Sequence, residues 1–456
     1  MLIDTHCHLD FKDFDADRGA ALERAKAAGI GRIINVGSSI EGSRRSVALA
    51  KEYDMVYASV GIHPHDAKSV TPGVMAELRK LAASPKIVAI GEVGLDYYRN
   101  LSPKNEQIAA FETFIALSDE LDLPLIIHAR DCGSDVIDML KKVRQGSAVH
   151  GVMHCFSGDT ESLKKYLDIG LYVSFTCNIT FKNARALRET AKVMPVERLL
   201  LETDAPYLAP EGMRGKRNEP AYMVTLLDEW SKILGLSKDD IGRITTHNAN
   251  TLFRLGMDDP SRIAYKIRDS LYLNITNRCT NSCYFCVRSK TRFVKGHNLR
   301  LEDEPSVVDV LKAIGDPKGY KEIVFCGYGE PTLRLDAIKA IASELKKQGS
   351  RIRVVTNGHG DLINKREIVT ELIGLIDSFS VSLNADTENV YNDVCKPEFG
   401  EASYAAVKEF IKSCVRAGMD VEVTYLDLPE VDTVKCEGIA RSFSAKFRLR
   451  HLGVVG

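Results

Sequence analysis

Short runs of apolar residues alternate with amphipathic stretches along the first half of the chain, with a repeat of about 30 residues. Apolar residues at helical spacing fill the intervening stretches, for example Arg18–Ala28 and Asn105–Leu121. Eight strands alternating with crossovers predict a (β/α)8 TIM-like barrel over residues 1–258. The candidate strands are Leu2–His6, Arg32–Val36, Val56–Gly61, Ile87–Glu92, Leu125–His128, Gly151–Phe156, Leu171–Phe175 and Leu199–Thr203.

The pattern changes near residues 257–260, where a helix-like segment ends at Gly256 and Pro260 follows. Residues 259–269 are expected to form a linker. Six βα units are too few to close an eight-stranded barrel, so residues 270–456 are predicted to form an open, partial (β/α)6 barrel whose reactive face lies at the carboxyl ends of its strands. Its candidate strands are Leu271–Thr276, Glu322–Cys326, Ile352–Thr356, Ser378–Leu383, Val421–Leu426 and Phe447–Leu452.

Composition places the chain among ordinary globular proteins. Hydrophobic residues make up 45% and charged residues 27% of the 456 residues, which is too apolar for a disordered chain. Lys and Arg number 61 and Asp and Glu number 62, so no net field draws the protein to nucleic acid or to an anionic membrane. Any contact with nucleic acid must therefore be local.

The first residues of the chain, its hydropathy and its cysteine spacing favour a cytoplasmic protein. The start, MLIDTHCHLD, lacks the basic and apolar regions of a signal peptide, and no apolar run approaches the ~20 residues of a membrane helix, so no membrane partner is expected. Three of the 11 cysteines are bunched at Cys279, Cys283 and Cys286. This spacing indicates metal ligation rather than a disulfide framework.

Side chains that can bind metals lie at the ends of most strands of the first half, where barrel active sites are assembled. His6 and His8 are two residues apart and can both face the barrel mouth. One such histidine alone would more often be structural, but six at corresponding strand ends indicate a metal centre. Imidazoles with two carboxylates can hold two divalent ions such as Mg²⁺, Mn²⁺ or Zn²⁺, with Glu92 as a bridge and Asp204 placed to orient or deprotonate the attacking water. The full set is His6, His8, His63, His65, Glu92, His128, His154 and Asp204.

Seven motifs of the first half resemble those of the TatD-type metal-dependent deoxyribonucleases, which belong to the amidohydrolase-like barrels. They are IDTHCHLD at 3–10, GIHPH at 61–65, GEVGLDYY at 91–98, IIHAR at 126–130, HCFSG at 154–158, ETDAPYLAP at 202–210 and RGKRNEP at 214–220. The resemblance covers about residues 1–257. It implies hydrolysis of DNA phosphodiesters from a 3′ end, with metal ligation by His6, His8, Glu92, His128, His154 and Asp204. Related barrels that open cyclic amides place a carboxylated lysine where this chain has Glu92, which favours phosphoester chemistry.

Two further groups are candidates for substrate contacts. His63 and His65 could contact the scissile phosphate, although a purely structural turn around Pro64 is an equal alternative. Arg214, together with Arg217, forms a basic cluster close to Asp204 that could follow a nucleic-acid backbone; a solvated loop is the alternative.

The first strand of the second half leads into a CxxxCxxC sequence at Cys279, Cys283 and Cys286. A structural zinc site requires a fourth ligand, and no Cys or His at a suitable spacing follows before His297. Four-iron clusters normally take four thiolates, so three thiolates leave one iron open to a ligand that is not protein.

The cysteine loop and the segments after it resemble the radical S-adenosylmethionine (radical SAM) superfamily over about residues 270–456. Phe285 occupies the aromatic position before the third cysteine, and the sequence GYGEP at 327–331 resembles the glycine-rich segment. The resemblance implies a [4Fe-4S] cluster on the three cysteines, S-adenosylmethionine as cosubstrate, and a low-potential electron donor such as flavodoxin or ferredoxin. For two of the implied cofactor contacts, Asn357 and Ser382, ordinary turn residues are the alternative. The implied cofactor-binding residues are Phe285, Gly327, Gly329, Glu330, Asn357 and Ser382.

Two functional interpretations follow. In the first, the protein is bifunctional: a metal-dependent phosphodiesterase acts on DNA or nucleotides, and a radical SAM domain acts on a substrate that no motif identifies. In the second, only one half is catalytic and the other is a regulatory or binding scaffold. The complete ligand sets of both halves favour the first.

Overall fold

The computed structural model describes residues 1–132, 134–144 and 148–451. The chain divides into two compact units, Met1–Asp258 and Asp259–Gly456. Each unit encloses its own hydrophobic cores, and the core residues of one unit do not recur in those of the other.

Within the described residues, the first unit contains eight parallel strands in sequential order β1 to β8. The Asp204 amide donates to the His6 carbonyl at 2.9 Å and the His8 amide donates to the Ala205 carbonyl at 2.7 Å, which joins the end of β1 to the segment after β8. The predicted (β/α)8 TIM-like barrel is confirmed. Its strands are β1 (Leu2–Cys7), β2 (Ile30–Val36), β3 (Val56–Val60), β4 (Ile87–Asp96), β5 (Leu125–Arg130), β6 (Gly151–Met153), β7 (Tyr172–Phe175) and β8 (Leu199–Leu201).

Some helices of the first unit begin with polar caps, and several bury an apolar face. Ser39 caps the first turn of α2 through the Gly42 amide, and Asp159 forms a capping box with Ser162 at the start of α6. On α8, Met223, Leu226 and Trp230 are buried at helical spacing. The helices are α1 (Arg18–Ala27), α2 (Ile40–Glu52), α3 (Pro72–Ala82), α4 (Lys104–Leu121), α5 (Asp135–Arg144), α6 (Thr160–Asp168), α7 (Arg185–Ala191), α8 (Met223–Leu234) and α9 (Lys238–Phe253).

Strand β4 comes unusually close to β5 because of Gly94. Its φ of +139° disfavours side chains, and a Cβ at this position would lie 2.0 Å from the His128 carbonyl oxygen. Only glycine allows this approach. The contact brings Glu92 on β4 next to His128 on β5, so one backbone position helps to assemble the centre described below.

The second unit contains an open sheet in the order β17-β16-β15-β14-β13-β10-β9, in which β10 and β13 to β17 are parallel. The predicted partial radical SAM barrel is confirmed. Its strands are β9 (Ala264–Ile267), β10 (Ser270–Leu273), β13 (Glu322–Phe325), β14 (Ile352–Thr356), β15 (Ser378–Ser382), β16 (Asp420–Asp427) and β17 (Lys446–His451), and β11 (Phe293–Val294) and β12 (His297–Asn298) form a separate ribbon. Its helices are α10 (Val307–Ile314), α11 (Leu335–Lys347), α12 (Gly360–Asn364), α13 (Val369–Leu372), α14 (Glu388–Cys395), α15 (Ala402–Arg416) and α16 (Thr433–Ser442).

The segment expected to be a linker, residues 259–269, contains strand β9, which pairs antiparallel with β10 at the edge of the sheet. The apolar pattern does not predict β9, because the strand has only four residues and begins soon after Pro260. The last predicted strand ends at Leu452, which lies outside the described residues. In the part of the chain that the structure describes, no helix combines the length and apolar character needed to cross a bilayer.

Candidate functional site

His6 and His8 lie side by side in the mouth of the barrel. His6 is the fifth residue of β1 and His8 follows its end; both are buried, and their Nε2 atoms are 3.2 Å apart. The Nδ1 of His8 is 3.0 Å from the Val36 carbonyl, which can only accept, so Nδ1 carries the proton and Nε2 presents a lone pair. The paired nitrogens therefore face a point that suits a cation.

Glu92 lies between two groups of histidines. Its Oε2 is 3.6 Å from His6 Nε2 and 3.8 Å from His8 Nε2. Its Oε1 is 2.8 Å from both His128 Nδ1 and His154 Nε2, which are 3.2 Å from each other. The two oxygens of one carboxylate thus face two separate sets of imidazoles.

Asp204 completes the first set from the segment after β8, next to β1. Its Oδ1 is 3.7 Å from His6 Nε2 and 3.6 Å from His8 Nε2. It follows β8 with a φ of +54°, a left-handed conformation that aspartate tolerates better than most residues. The structure brings together all six residues predicted as metal ligands.

The donor set fits two divalent ions. His6, His8 and Glu92 form one group whose ligand atoms converge, and His63, Glu92 and His128 form another. Imidazole nitrogens and carboxylate oxygens suit Zn²⁺, Mn²⁺ and similar ions. His6 Nε2 and His8 Nε2 lie 3.2 Å apart with the Glu92 and Asp204 carboxylates within 3.8 Å of them, and a divalent cation would compensate this buried charge.

The titration behaviour of the centre reflects burial and mutual contacts. Burial alone would raise the pKa of Glu92, but the imidazoles of His154, His63 and His128 outweigh it and hold the pKa well below its usual range. Burial lowers the pKa of His6. Although burial opposes both shifts, contacts with Asp96 and Glu92 raise the pKa of His128, and the carboxylates of Glu92 and Glu202 raise the pKa of His154. The centre therefore presents a carboxylate and a neutral His6, and a cation that bound at His128 and His154 would displace their protons.

Two carboxylates behind the ligands were not predicted from the sequence. Glu202 accepts hydrogen bonds from the Cys155 amide (2.6 Å) and Ser174 Oγ (2.7 Å) and lies 3.6 Å from His154 Nδ1. Asp96 Oδ2 lies 3.4 Å from His128 Nε2. Each lies on the side of a histidine ring that faces away from Glu92, where it can orient that ring. Both also occur in the motifs GEVGLDYY and ETDAPYLAP, two or four residues from a ligand, which is the signal that could have found them.

The predicted substrate residues occupy different environments. His63 Nε2 is 3.5 Å from Glu92 Oε1, and burial lowers the pKa of His63 to about 3. His65 instead bonds Asp96 at 2.8 Å. Arg214 is exposed and lies over the Phe181 ring at 4.6 Å, whereas the Arg217 guanidinium is paired with the carboxylate of Asp17. Thus His63 lies beside Glu92, and the charge of Arg217 is compensated by Asp17.

The cysteine loop of the second unit follows β10. Cys279, Cys283 and Cys286 are all partly exposed, and Cys283 and Cys286 border a cavity of about 450 Å³. Burial raises the pKa of Cys279 to about 11, and the nearby Arg288 guanidinium opposes that shift. Three thiols on one accessible loop, beside an open cavity, fit a cluster with three protein ligands.

A fourth thiol lies close to this loop. Cys395 is fully buried at the end of α14, and its thiol, followed by burial, raises the pKa of Cys283 well above its usual range. The Ser282 amide donates to the Cys395 carbonyl at 3.0 Å, so the loop runs directly along this part of the chain. The sequence alone assigns Cys395 to packing, and its proximity to Cys283 emerges only from the fold.

The glycine-rich segment packs tightly beneath the cysteine loop. A Cβ on Gly327 would lie 2.1 Å from Asn274 Oδ1, and one on Gly329 would lie 2.2 Å from the Arg278 carbonyl oxygen. Glu330 is buried and accepts hydrogen bonds from the Asn357 amide (2.7 Å) and from Thr356 Oγ1 (2.7 Å). Glu330 therefore joins the segment after β13 to the segment after β14.

The remaining predicted cofactor residues lie around this junction. Asn357 Nδ2 is 2.9 Å from Thr280 Oγ1 and 3.9 Å from Cys279 Sγ. Phe285 packs partly against the core, and Ser382 Oγ is 3.2 Å from Thr424 Oγ1. Asn357 is thus in contact with the cysteine loop, while Ser382 contacts a neighbouring strand.

Comparisons with known proteins agree with this division. Residues 3–254 match the family described as TatD related DNase, and residues 273–440 match the Radical SAM superfamily. The uncharacterized metal-dependent hydrolase YabD of Bacillus subtilis is 43% identical over 255 residues, 56% of this chain and 100% of that protein. The 3'-5' ssDNA/RNA exonuclease TatD of a Rahnella species is 38% identical over 256 residues, 54% of this chain and 96% of that protein. The crystal structure of the TatD homolog YJJV of Escherichia coli covers 56% of this chain and 98% of its own, with 30% identity and a TM-score of 0.53.

Proposed function

The chain belongs to the TatD-related DNase family and carries a radical SAM domain, and from this premise we propose that it is a bifunctional enzyme: a 3′-5′ exonuclease on single-stranded DNA fused to a radical SAM enzyme. The single observation that supports the nuclease is the Glu92 carboxylate, whose two oxygens face two separate sets of histidines. The exonuclease activity of the Rahnella relative supports the direction and the substrate.

We propose that His6, His8, Glu92 and Asp204 hold one divalent ion and that Glu92, His128 and His154 hold a second, with His63 beside it. Two such ions, when bound, supply Lewis-acid polarisation of a phosphodiester and charge stabilisation of its transition state. Because Glu92 contributes one oxygen to each set of ligands, it fixes the distance between the two sets. Glu202 and Asp96 hold the rings of His154 and His128 in the ligating orientation.

Asp204 is the proposed general base. Burial raises the pKa of Asp204, and the imidazoles of His6 and His8 oppose this. Its Oδ1 lies within 3.7 Å of both imidazoles, so the carboxylate faces the first set of ligands and can accept a proton from an attacking water there. Its position on the loop after β8 exposes it to the barrel mouth, where the substrate enters.

In the second unit, Cys279, Cys283 and Cys286 are the proposed ligands of a [4Fe-4S] cluster. The cluster and S-adenosylmethionine supply reductive formation of a radical that abstracts hydrogen. Glu330 orders the loops of Gly327–Glu330 and Asn357 around the cosubstrate site, because its carboxylate holds both.

An acidic electron carrier, flavodoxin or ferredoxin, is the proposed reductant. Residues 287–301, which follow the third cysteine, contain five Lys or Arg and no Asp or Glu in a chain of net charge −1. Positive charge beside the cluster site would steer a negatively charged carrier to it. A cluster and free thiols also require reducing conditions, which supports a cytoplasmic location.

The nuclease proposal is tested with 3′-end-labelled and 5′-end-labelled single-stranded DNA in Mg²⁺ or Mn²⁺. Wild-type protein is expected to release nucleotides from the 3′ end, and Asp204→Ala is expected to lose at least about 100-fold in kcat, in the range of a lost general base. Asp138→Ala, an exposed aspartate on α5, is the matched control. Equal digestion by wild type and Asp204→Ala would show that a contaminating nuclease did the work.

The radical SAM proposal is tested by electron paramagnetic resonance on the anaerobically reconstituted and reduced protein. A four-iron signal that shifts when S-adenosylmethionine is added, and is lost in Cys283→Ala, is expected. A signal that does not respond to the cosubstrate would support the alternative in which the second half is a scaffold and the nuclease is the whole activity.

A further inference from the structure

Exposed aromatic rings are rare in this protein and concentrate near functional loops. Among the described residues, three aromatic side chains are more than a third exposed: Tyr98 (59%), Tyr207 (55%) and Tyr284 (44%). Tyr98 and Tyr207 both lie at the mouth of the barrel, each within three residues of Asp96 or Asp204. Large apolar surfaces left in water at such a place suggest a ligand that covers them.

Tyr207 ends a continuous series of rings that starts at a proposed metal ligand. The Tyr207 amide donates to the Asp204 carbonyl at 2.9 Å. The Tyr207 ring packs edge-on against Phe11, with centroids 6.0 Å apart, and Phe11 stacks on the His8 ring at 4.6 Å and 17°. The contacts of Phe11 with Tyr207 and with His8 therefore hold the Tyr207 ring close to the metal centre. We define the Tyr207 ring and the Phe11 ring beside it as one platform.

Tyr98 and Arg130 form a second platform. The Arg130 guanidinium lies 4.0 Å from the centroid of the Tyr98 ring. Arg130 is the last residue of β5 and lies two residues beyond His128, and Tyr98 lies two residues beyond Asp96. Arg130 is exposed, and no carboxylate pairs with it in the described part of the chain. Arg130 therefore places a positive charge beside the Tyr98 ring.

The two platforms lie on opposite sides of the metal centre. Phe11 and Tyr207 follow β1 and β8, which are neighbours, whereas Tyr98 and Arg130 follow or end β4 and β5. In a barrel of eight strands in sequential order these two pairs face each other across the mouth. A phosphodiester at the metal centre would have one platform on each side.

We propose that these platforms bind the bases on the two sides of the scissile phosphate, so that the enzyme recognises unpaired nucleotides by stacking. This inference rests on the proposed nuclease function. One base stacks on Tyr207, supported by Phe11, and the other stacks at Tyr98, where Arg130 also faces the phosphate backbone. Stacking uses the face that every base has, so sequence preference is weak. A base inside a duplex stacks on its own neighbours, so the platforms select single strands.

The test combines two variants with two modified substrates. Tyr207→Ala and Tyr98→Ala are each measured on single-stranded DNA with a normal 3′ end, with an abasic terminal nucleotide and with an abasic penultimate nucleotide. The matched control is Tyr172→Ala: Tyr172 also lies under an arginine, Arg198, at 4.9 Å, but at the start of β7 and so at the opposite face of the barrel. Circular dichroism checks that each variant is folded.

Each platform variant is expected to raise KM about tenfold on normal DNA, and wild type is expected to lose about tenfold on one abasic substrate, within the range of base stacking. When a variant removes the ring that stacks on the base that is missing from the substrate, the two losses should not add, because that one contact can be lost only once. The proposed stacking would be overturned if the loss from each variant added to the loss from both abasic substrates. It would also be overturned if Tyr172→Ala lost as much as the platform variants. Failure of the wild-type protein to degrade DNA in any metal would instead overturn the proposed function itself.

Discussion

At the scale of single residues, the metal centre depends on groups whose orientation is fixed from behind. The Val36 carbonyl sets the tautomer of His8, and Glu202 and Asp96 lie behind His154 and His128. A ligand held in this way loses little freedom when an ion binds. The carboxylates behind the ligands should therefore matter almost as much as the ligands.

Glu202→Gln tests this for His154. The variant keeps a side chain of the same shape but removes the charge 3.6 Å from His154 Nδ1. Metal affinity is expected to fall about 10-fold to 100-fold, as for other residues that orient ligands. Calorimetric titration of metal-free protein with Mn²⁺ measures it, with the exposed Glu112→Gln as the control. Wild-type affinity in Glu202→Gln would show that His154 is oriented without it.

Cys395 tests whether the cluster has three protein ligands. Because Cys395 contacts Cys283 but lies in the hydrophobic core, Cys395→Ser is expected to retain four irons per chain and the wild-type response to S-adenosylmethionine. Cys283→Ser is expected to lose the cluster. Iron analysis and electron paramagnetic resonance give both readouts. Loss of the cluster in Cys395→Ser would mean that a fourth thiolate closes the site.

At the scale of elements, both sites are made by loops at the carboxyl ends of parallel strands, and hydrogen bonds join these loops. In the second unit His359, after β14, is fully buried. Its Nδ1 is 2.9 Å from Thr280 Oγ1 on the cysteine loop, and its Nε2 is 2.9 Å from the Tyr391 hydroxyl on α14. One neutral imidazole thus links three elements around the proposed cluster site.

This link should make the second unit sensitive to acid. Burial lowers the pKa of His359 to about 4 from an ordinary value of 6.5, so the unfolded chain binds a proton that the folded chain excludes between these values. The stability contribution is complete above pH 6.5 and is lost as the pH falls towards 4, by up to about 3 kcal/mol. His359→Gln should flatten this dependence. Urea unfolding of cluster-free protein between pH 4 and 7 measures it, and equal pH slopes in both proteins would contradict it.

At the scale of the whole molecule, the chain consists of two units with separate cores and separate ligand sets. Its Lys and Arg nearly balance its Asp and Glu, so long-range charge does not determine what it binds. The proposed binding sites use local groups instead, namely Arg130 at the barrel mouth and the basic segment 287–301 after Cys286.

Removal of metal should therefore affect one unit. A ligand that binds only the folded state stabilises it, so chelation with EDTA is expected to lower the unfolding temperature of the barrel by several degrees. Calorimetry of the cluster-free protein should show one transition that moves with EDTA and one that does not. The moving transition is identified by Asp204→Ala, in which EDTA should have a smaller effect. A single transition that shifts as a whole would show that the units unfold together.

Much of the fold could be predicted from the sequence because strands of parallel sheets are short, apolar and regularly spaced. All eight barrel strands and the six parallel strands of the second unit lie where the apolar runs predict them. Strand β9 was missed, since four residues next to a proline give no clear pattern. Its place in the sheet depends on pairing with β10, which is a tertiary contact.

The sequence by itself determined the types and order of the chemical groups: histidines and carboxylates at strand ends, three cysteines on one loop, and two families joined in one chain. Only the tertiary structure decided which groups meet. It placed Glu92 between two sets of imidazoles, Glu202 and Asp96 behind them, Cys395 against Cys283, and two aromatic platforms across the barrel mouth. The physical reason is that local periodicity fixes the direction of a side chain along its own strand, whereas distances between strands depend on how the whole barrel closes.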